Sequence, residues 1–543
     1  MSEKQKSIVG GMTILGITGL ICKIVAVLYR IPLAWLIGDQ GLGTFQLVFP
    51  TYNLLLTISS AGLPVAVSRM VSFSLSRNDP RNAHRAFKNA LSILTILGAI
   101  GMFLMIAFNP FLSERVGDPK TQAGFIAIAP ALLLVCTMSA FRGFMQGQQN
   151  MVPTATSQLI EQVGKVAVAL PLAYLGSRIG MGTSSEINVS YAAAGALFGN
   201  SIAEGVALFY ITVVYRRHRP AFQQLPQDEN AEELSGRALT RRLLTLAIPI
   251  TLSACIVPLA AFIDSGMIMN LLTQSAGFAE EQARAMYGRY SGYVINLINV
   301  PTALSQAISI SLVPAVSAAV GRKDWKGVRR QSHTGLRMAF LVGLPASLGM
   351  SILARPILTL VYPFPTVEAL NQTAELLSMS SYTIVLFTVV QATSSILQGL
   401  RKQRIPMYTL LVGVGLKILI NYNLIGVREI NIYGAPLGSL VCYGVSMLPN
   451  LYYAHKYAQL PYDPLNIFLK PLAATACMGA AIYFAQLVLP SSRLTTIILI
   501  LIGIVVYGVS ARLLGALRKE DLRPFTRAFR KHKSRASAPK SEE

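Results

Sequence analysis

The first apolar segment of the chain carries two cations on one face. Lys23 and Arg30 are seven residues apart, so in a helix they lie on one side, about two turns or roughly 10 Å from each other. A charge inside a membrane costs roughly 2.5–3.5 kcal/mol, and two cations cannot pair with each other. They require an anion, and a diphosphate suits them because Arg forms forked hydrogen bonds and Lys acts as a point charge. In the alternative interpretation, Arg30 ends a shorter helix and reaches the lipid headgroups.

A polar stripe follows one face of a later apolar segment, residues 286–320. The polar side chains on this segment and on the second apolar segment are candidates for substrate binding: Arg289, Asn296, Asn299, Gln306 and, on the second segment, Asn53. A polar stripe on a helix that lipid would otherwise surround is expected to face a wet cavity. The alternative is hydrogen bonding between helices, worth about 0.6–2 kcal/mol per bond.

Buried acids form the third group of candidates. Glu161 and Lys165 have the i, i+4 spacing of a helical ion pair, which favours a structural pair. Asp264 has no partner nearby in the sequence, and Lys417 and Asn421 are the candidate partners across the second half. An unpaired Asp264 would hold a sodium ion or a proton for coupling, whereas a paired Asp264 would be structural.

No enzyme or cofactor motif is present in the sequence. It contains no Walker A sequence, His-Glu-x-x-His, Gly-x-Ser-x-Gly or Cys-x-x-Cys. The cysteines all fall within apolar segments, so we expect buried thiols and neither disulfides nor a metal site. We therefore predict a protein that is not an enzyme and has no cofactor, with sodium or proton coupling left open.

The composition predicts an all-α polytopic membrane protein. Hydrophobic residues make up 53% of the 543 residues and charged residues 13%, which is too apolar for a soluble globular protein of this length. Apolar runs of about twenty residues recur, each long enough to cross a bilayer. Because these runs are continuous and do not alternate, they predict helices and exclude a barrel.

About fourteen membrane helices are expected. We place them near 8–37, 43–75, 88–111, 122–147, 153–177, 190–215, 240–271, 286–320, 333–361, 375–400, 405–426, 432–456, 466–488 and 493–515.

Loop charge predicts the orientation. Lys and Arg concentrate in alternate loops, for example around Arg81 and Lys326, and such loops are cytoplasmic. Both termini are then inside, and the protein is expected in the cytoplasmic membrane. The net charge of +23 is scattered over these loops, which argues against nucleic-acid binding. The basic tail from Arg518 to Lys540 is interpreted as a cytoplasmic segment near anionic lipid.

An internal repeat divides the chain. The segment from Arg77 to Arg85 matches the segment from Arg322 to Arg330 at an offset of 245 residues, and three further pairs recur in the same order. These pairs are Gln146-Gly147 with Gln398-Gly399, Lys165 with Lys417, and Gly195-Ala196-x-x-Gly199 with Gly434-Ala435-x-x-Gly438. An even number of helices in each copy indicates parallel repeats, an arrangement typical of transporters that rock around a site between two lobes.

The repeat sets the expected domains. They are an N-terminal lobe at 1–215, a cytoplasmic linker at 216–239, a C-terminal lobe at 240–456, a helix pair at 457–515 and the basic tail at 516–543.

The N-terminal stretch resembles the stage V sporulation protein B family. The resemblance is carried by the runs from Lys23 to Gly38, from Gly41 to Pro50 and from Ser60 to Ser68, and by Ser311-Leu-Val-Pro314 and Gln398-Gly399. That family belongs to the multidrug/oligosaccharidyl-lipid/polysaccharide exporter superfamily, which also contains the MurJ-type lipid II flippases. The resemblance implies two six-helix lobes around a cationic cavity, with the last two helices forming a groove for a polyprenyl tail.

The resemblance also implies roles for individual residues. Lys23 and Arg30 approximately match the basic pair of helix one in MurJ-type members. The arginines that those members carry in helices two and eight are not reproduced, and this chain has Asn53 and Asn296 there. Sodium-binding relatives use an acid in helix seven, which Asp264 matches, and Asn or Asp in helix eleven. Here Lys417 stands beside Asn421, so a lysine ammonium would occupy the place of the ion.

The resulting hypothesis is a flippase for a polyprenyl-diphosphate-linked saccharide, above all the peptidoglycan precursor lipid II. The expected partners are this substrate and membrane lipids, and the expected state is a monomer. The alternatives are an exporter of another lipid-linked oligosaccharide, a cation-coupled multidrug exporter, a polytopic glycosyltransferase and a scaffolding protein. A drug exporter would depend on cavity acids, and a glycosyltransferase would require a large outer catalytic loop.

Overall fold

The computed structural model describes residues 3–179, 185–224, 235–460, 463–490 and 492–517. Within these ranges the chain is helical and contains no strand. The basic tail from Arg518 to Lys540 and the middle of the predicted linker, residues 225–234, lie outside the described residues. The expectation of an all-α polytopic membrane protein is confirmed.

Nineteen α-helices follow one another in the described part of the chain. They are α1 (Glu3–Ser60), α2 (Leu63–Ser76), α3 (Pro80–Ala107), α4 (Asn109–Val116), α5 (Gln122–Gly147), α6 (Val152–Gly164), α7 (Leu170–Arg178), α8 (Ser185–Gln223), α9 (Gly236–Ala254), α10 (Ile256–Asn270), α11 (Glu280–Gly288), α12 (Ile295–Gly321), α13 (Trp325–Ile352), α14 (Ala354–Val361), α15 (Val367–Gly399), α16 (Arg404–Ile425), α17 (Gly434–Ala458), α18 (Lys470–Val488) and α19 (Arg493–Leu513).

Proline explains where several membrane helices divide. Proline has no N–H group, and its ring clashes with the carbonyl four residues earlier. Pro258 stands four residues after Ala254, where α9 ends, and Pro356 stands four residues after Ile352, where α13 ends. The expected helices at 240–271 and 333–361 are therefore each built from two consecutive helices.

Thirteen candidate membrane spans lie in the described residues. The first, Ile21–Ser76, contains the first two expected helices, because α1 continues through a kink at Gly38. Counted separately, these two helices bring the total to the expected value of about fourteen.

The loops between the membrane helices show the internal repeat directly. Asp79 accepts a hydrogen bond from the backbone N–H of Asn82 (2.9 Å) at the start of α3, and Asp324 accepts one from that of Gly327 (2.8 Å) at the start of α13. The residue before each aspartate has positive φ, 54° at Asn78 and 56° at Lys323. Both copies of the motif therefore form the same helix cap.

Helix packing repeats in the same way. A Cβ on Gly147 would lie 2.7 Å from Val71 Cβ, and one on Gly399 would lie 2.7 Å from Val316 Cβ. Val71 and Val316 are separated by the offset of the loop motif, so each glycine allows the same close approach of two helices in its own half. These two pairs of local contacts agree with the internal repeat predicted from the sequence.

The first compact unit contains residues 1–303, 361–380 and 407–445. An apolar core formed by α2, α3, α5, α8 and α9 lies within it and includes Phe87, Leu94, Phe144 and Leu243. It also holds nearly all the candidate site residues named above.

The second compact unit contains residues 304–360 and 381–406, together with the described residues between 446 and 517. Its helices α18 and α19 pack on α13, where the Tyr507 hydroxyl donates to the Leu341 carbonyl (2.7 Å). Cys477 corrects one expectation, because its thiol is exposed. It lies on α18 outside the buried stripe that contains Ala474, Met478 and Ile482.

Candidate functional site

Helix α1 carries the basic pair and bends directly after it. Gly38 has φ 68° and ψ −175°, a backbone conformation that favours glycine, and it separates the two membrane-spanning parts of the helix. Before the bend, Lys23 is exposed and Arg30 is half-buried. Among the described residues, neither side chain has a carboxylate or hydrogen-bond partner. Both cations are therefore free to receive an anion.

The structure brings Arg30 together with Asn296 through an aromatic residue that sequence reasoning missed. Asn296 is buried, and its amide donates a hydrogen bond to the Tyr362 hydroxyl (2.9 Å). Tyr362 stacks on Tyr293 with ring centroids 4.1 Å apart and an interplanar angle of 7°, and Arg30 lies within electrostatic range of it. No local pattern marks Tyr362, since its role follows from contacts between distant segments.

The remaining polar candidates have different surroundings. Asn299 is exposed, Asn53 is half-buried, and Gln306 belongs to the second compact unit. Asn296 therefore forms a hydrogen bond within the protein, as in the alternative interpretation of the polar stripe. Asn299 is exposed and can contact a ligand. Substrate binding by these residues remains a prediction.

Arg289 is engaged within the protein. Its guanidinium contacts Asp39 (3.4 Å) and donates to the Gln372 side-chain carbonyl (3.2 Å). Arg289 also begins a π-helical segment that runs to Val294, a local widening that often occurs at functional sites. A Cβ on Gly288 would lie 2.0 Å from the Asp39 carbonyl oxygen, so the missing side chain permits this approach. Arg289 is thus an ion-pair partner in this conformation and is not free like Lys23.

A second ion pair involves α11, the helix directly before Arg289, and was not predicted from the sequence. Arg284 donates two hydrogen bonds to Asp118, at 2.7 and 2.8 Å, and both residues are fully buried. This forked geometry is the strongest arrangement of an arginine and a carboxylate. Because 166 residues separate the partners, no spacing rule could have predicted the pair.

Asp264 has the partners that the sequence nominated. Lys417 donates a hydrogen bond to one carboxylate oxygen, and Asn421 donates to the other (3.2 Å). Tyr290 and Tyr443 lie within electrostatic range of the lysine. Asp264 is therefore paired in this structure, with the lysine ammonium at the carboxylate where a cation would otherwise bind.

The first half contains a larger buried ion cluster. Glu161 contacts Lys165 (2.6 Å), as predicted, and also Arg142 (3.1 Å). Lys165 contacts a second acid, Glu204 (3.0 Å). Lys165 also begins a π-helical segment that runs to Ala169. Arg142 and Glu204 enlarge the predicted pair to four charges, an arrangement that arises from packing between α5, α6 and α8.

Within the described residues, no group of three or more His, Cys, Asp or Glu side chains could hold a metal ion. The candidate site thus consists of the two free cations on α1, Lys23 and Arg30, and the ion pairs described above. It also includes the contacts of Tyr362 with Asn296 and Tyr293. Such a site can bind a multiply charged anion, and its paired carboxylates can exchange protons.

The fold and these buried charges define a multi-pass membrane transporter of the multidrug/oligosaccharidyl-lipid/polysaccharide superfamily. The family model described as "Polysaccharide biosynthesis protein" matches residues 8–320, and the chain belongs to this family. A second model, MatE, matches residues 249–423. The relatives of this chain are transporters and flippases, not enzymes.

Two curated relatives cover most of the chain. The chain is 27% identical to "Lipid II flippase MurJ" of Bacillus subtilis over 489 residues, which is 88% of each protein. It is 25% identical to "Stage V sporulation protein B" of the same organism over 434 residues, which is 80% of each protein. The resemblance found in the sequence is confirmed.

Solved structures show the same fold. "Lipid II flippase MurJ, inward closed conformation" has a TM-score of 0.67 at 13% identity and covers 92% of this chain and 98% of that chain. An inward-facing multidrug resistance MATE family transporter has a TM-score of 0.60 at 14% identity and covers 81% of this chain and 99% of that chain.

Proposed function

We propose that the protein is a flippase that moves a polyprenyl-diphosphate-linked saccharide, specifically lipid II, across the cytoplasmic membrane by alternating access. The curated relative with 27% identity is named for lipid II, and the other carries a sporulation name. Loop charge supports an orientation with both termini inside.

The observation that carries the proposal is the state of Lys23 and Arg30. The other cations of the candidate site contact carboxylates; they are Arg142, Lys165, Arg284, Arg289 and Lys417. Lys23 and Arg30 have no such partner among the described residues. Two uncompensated cations on one membrane helix are costly unless an anion binds them. A diphosphate supplies two negative charges, and a long lysine and a long arginine side chain two helical turns apart can reach it together.

The membrane potential supplies a driving force for this substrate. An inside-negative potential acts on each charge with about 2.3 kcal/mol per 100 mV. A diphosphate with about two negative charges gains roughly twice that energy on moving outward. Transport therefore needs no nucleotide hydrolysis, which agrees with the lack of a Walker A motif in the sequence.

The Asp264 pair supports transport without sodium coupling. Both carboxylate oxygens of Asp264 already accept hydrogen bonds, from Lys417 and Asn421. A sodium ion would have to displace the lysine ammonium, which is tethered and carries the same charge. This arrangement argues against a sodium-coupled drug exporter, the alternative that the MatE match would otherwise favour.

Complementation tests the proposal. The chain is expressed in a bacterial strain depleted of its own lipid II flippase, alongside Lys23→Ala, Arg30→Ala and the control Lys326→Ala, which changes an exposed loop cation. We expect growth with the wild type and the control, and loss of growth with the two α1 variants at equal membrane abundance. Failure of the well-expressed wild type would exclude lipid II, and rescue by both α1 variants would exclude the diphosphate site.

A further inference from the structure

The buried cluster of the first half contains an acid whose hydrogen bonding is incomplete. Glu204 is 3% exposed; Oε1 contacts Lys165 (3.0 Å), whereas Oε2 is buried and has no hydrogen-bond partner among the described residues. A buried carboxylate oxygen without a donor loses its hydration and gains no hydrogen bond in exchange, which destabilises the ionised form. One turn away on α8, the buried side-chain oxygen of Asn200, Oδ1, also has no hydrogen-bond donor among the described residues.

A proton on Glu204 resolves this deficit. Protonation turns Oε2 into a hydroxyl donor. Lys165 bridges the two acids, at 2.6 Å from Glu161 and 3.0 Å from Glu204, so the two carboxyl groups lie close together. Two carboxyl groups held this close bind a proton jointly, because both cannot remain ionised at low cost. Lys165 keeps its contact with Glu161 in either state. The step is a simple proton uptake: one O–H bond forms on Glu204, and one O–H bond of a hydronium ion from the solvent breaks to leave water.

The charge of the cluster changes with this step. Arg142 and Lys165 balance Glu161 and Glu204 when both acids are ionised, so the cluster is neutral. One proton leaves it with a net charge of +1. The groups that face the cluster from neighbouring elements are Cys22, Tyr29 and Tyr52 of α1, Arg142 of α5 and Asn200 of α8.

The position of the cluster links it to the basic pair. Helices α6 and α8 both pack against α1. Cys22, adjacent to Lys23, and Tyr29, adjacent to Arg30, lie within electrostatic range of Lys165. A positive charge that appears behind α1 therefore strengthens the attraction of Lys23 and Arg30 for an anion. By linkage, a bound anion strengthens proton binding by the same factor.

We propose that Glu204, which Lys165 bridges to Glu161, is a proton-binding site that couples proton uptake to diphosphate binding on α1. The inference rests on the proposed function, since it needs an anionic substrate at Lys23 and Arg30. It adds proton coupling in the first half of the chain, while Asp264 in the second half stays bound to Lys417.

The two copies of the internal repeat differ at the position of Glu204. Lys165 and Lys417 occupy equivalent positions at an offset of 252 residues, the same offset as Gln146-Gly147 and Gln398-Gly399. At the offset of 239 that relates Gly195 to Gly434, the counterpart of Glu204 is Tyr443. The second half therefore offers Lys417 one carboxylate with both oxygens satisfied, and a phenol stands where the first half has its second acid.

Calorimetry on the purified full-length protein tests the inference. The probe is a lipid II analogue with a shortened prenyl chain, whose diphosphate diester stays ionised throughout. Binding is measured from about pH 5.5 to about pH 8.5, the range in which a carboxyl with a strongly shifted pKa titrates, in two buffers of different ionisation enthalpy. We expect the wild type to take up protons on binding and to lose roughly tenfold in affinity as the pH rises, the effect of a unit charge about 10 Å from the anion.

Three variants make the readout specific. Glu204→Gln removes the proton site, so we expect pH-independent affinity and no proton uptake. Glu204→Asp keeps a carboxyl group, so we expect the affinity of this variant to remain pH-dependent. If Glu204→Gln does not fold, Glu204→Asp still tests the role of the carboxyl group. Glu429→Gln changes an exposed acid and is expected to match the wild type.

The outcomes separate the two proposals. Binding by the wild type without proton uptake, or equal pH dependence in wild type and Glu204→Gln, overturns the proton site and leaves the proposed function intact. No binding by the wild type at any pH overturns the proposed substrate, and the coupling falls with it.

Discussion

Lys417 donates a hydrogen bond to Asp264 across 153 residues of sequence, and Asn421 holds the second oxygen of the same carboxylate. The lysine side chain is 21% exposed and the aspartate 14%. A charge in this position is tolerated only with its partner, because removal of one member leaves an uncompensated ion. The pair therefore has measurable consequences for stability and for ion dependence.

Single substitutions in this pair are expected to destabilise the protein more than the double substitution. We expect Asp264→Asn and Lys417→Gln each to lower the free energy of unfolding by about 2–4 kcal/mol, somewhat below the range of fully buried pairs. The double variant should lose less than the sum, because no unpaired charge remains. Unfolding in mixed detergent micelles measures all three, and additive losses would show that the two side chains do not interact energetically.

Sodium is expected to have no effect on transport. The Asp264 oxygens are occupied by Lys417 and Asn421, so replacement of sodium by choline at constant ionic strength should change the transport rate by less than about twofold. Transport into proteoliposomes provides the measurement. A tenfold loss of rate in choline would mean that sodium binds elsewhere or displaces Lys417.

Loss of the Arg284–Asp118 pair is expected to lower the free energy of unfolding more than loss of the Asp264–Lys417 pair. Both side chains are fully buried, and two hydrogen bonds join them. We expect Asp118→Asn to lower the free energy of unfolding by about 3–5 kcal/mol because Arg284 would be left as a buried, unpaired cation. Glu114→Gln, which changes a nearby exposed acid, serves as the control. Equal stability of the two variants would contradict the structural importance of the pair.

Two glycines of the repeat are expected to be intolerant of a methyl group. A Cβ on Gly199 would lie 2.3 Å from Ala169 Cα, and one on Gly438 would lie 2.1 Å from Asn421 Oδ1. We expect Gly199→Ala and Gly438→Ala each to cost about 1–3 kcal/mol through overpacking. Gly444, on the same helix as Gly438, has open space around it.

The matched control Gly444→Ala is expected to be neutral or to stabilise its helix by about 0.5–1 kcal/mol, since alanine favours helix. Thermal unfolding in detergent ranks the three variants. If all three melt alike, the close helix approaches inferred from the repeat are absent.

Features that depend on local pattern were predictable from the sequence. The membrane helices follow from apolar runs. The internal repeat follows from a motif whose two copies contain Asp79 and Asp324, and these two residues form the same helix cap. The Glu161–Lys165 pair follows from its i, i+4 spacing. Lys417 was predictable as the partner of Asp264, because a buried acid needs a partner and few cations lie within apolar segments.

Features that depend on contacts between distant segments were not predictable. Asp118 and Arg284 are both unremarkable in sequence, and Tyr362 follows a short helix with no marking pattern. Arg289 was expected at the end of a substrate-binding stripe, yet the approach of α1 pairs it with Asp39. Glu204 gained its importance only when the packing of α6 and α8 placed it beside Lys165.

Flipping of fluorescent lipid II in proteoliposomes tests the central claim most directly. The assay imposes a membrane potential that is positive on the acceptor side and compares the wild type with Lys23→Ala, Arg30→Ala and Lys326→Ala. The proposed diphosphate site predicts rapid flipping by the wild type and by Lys326→Ala, with a loss of at least about tenfold in each α1 variant, the effect of removing one charged contact of roughly 1.4 kcal/mol or more. Flipping no faster than in protein-free liposomes, or wild-type rates in both α1 variants, would contradict it.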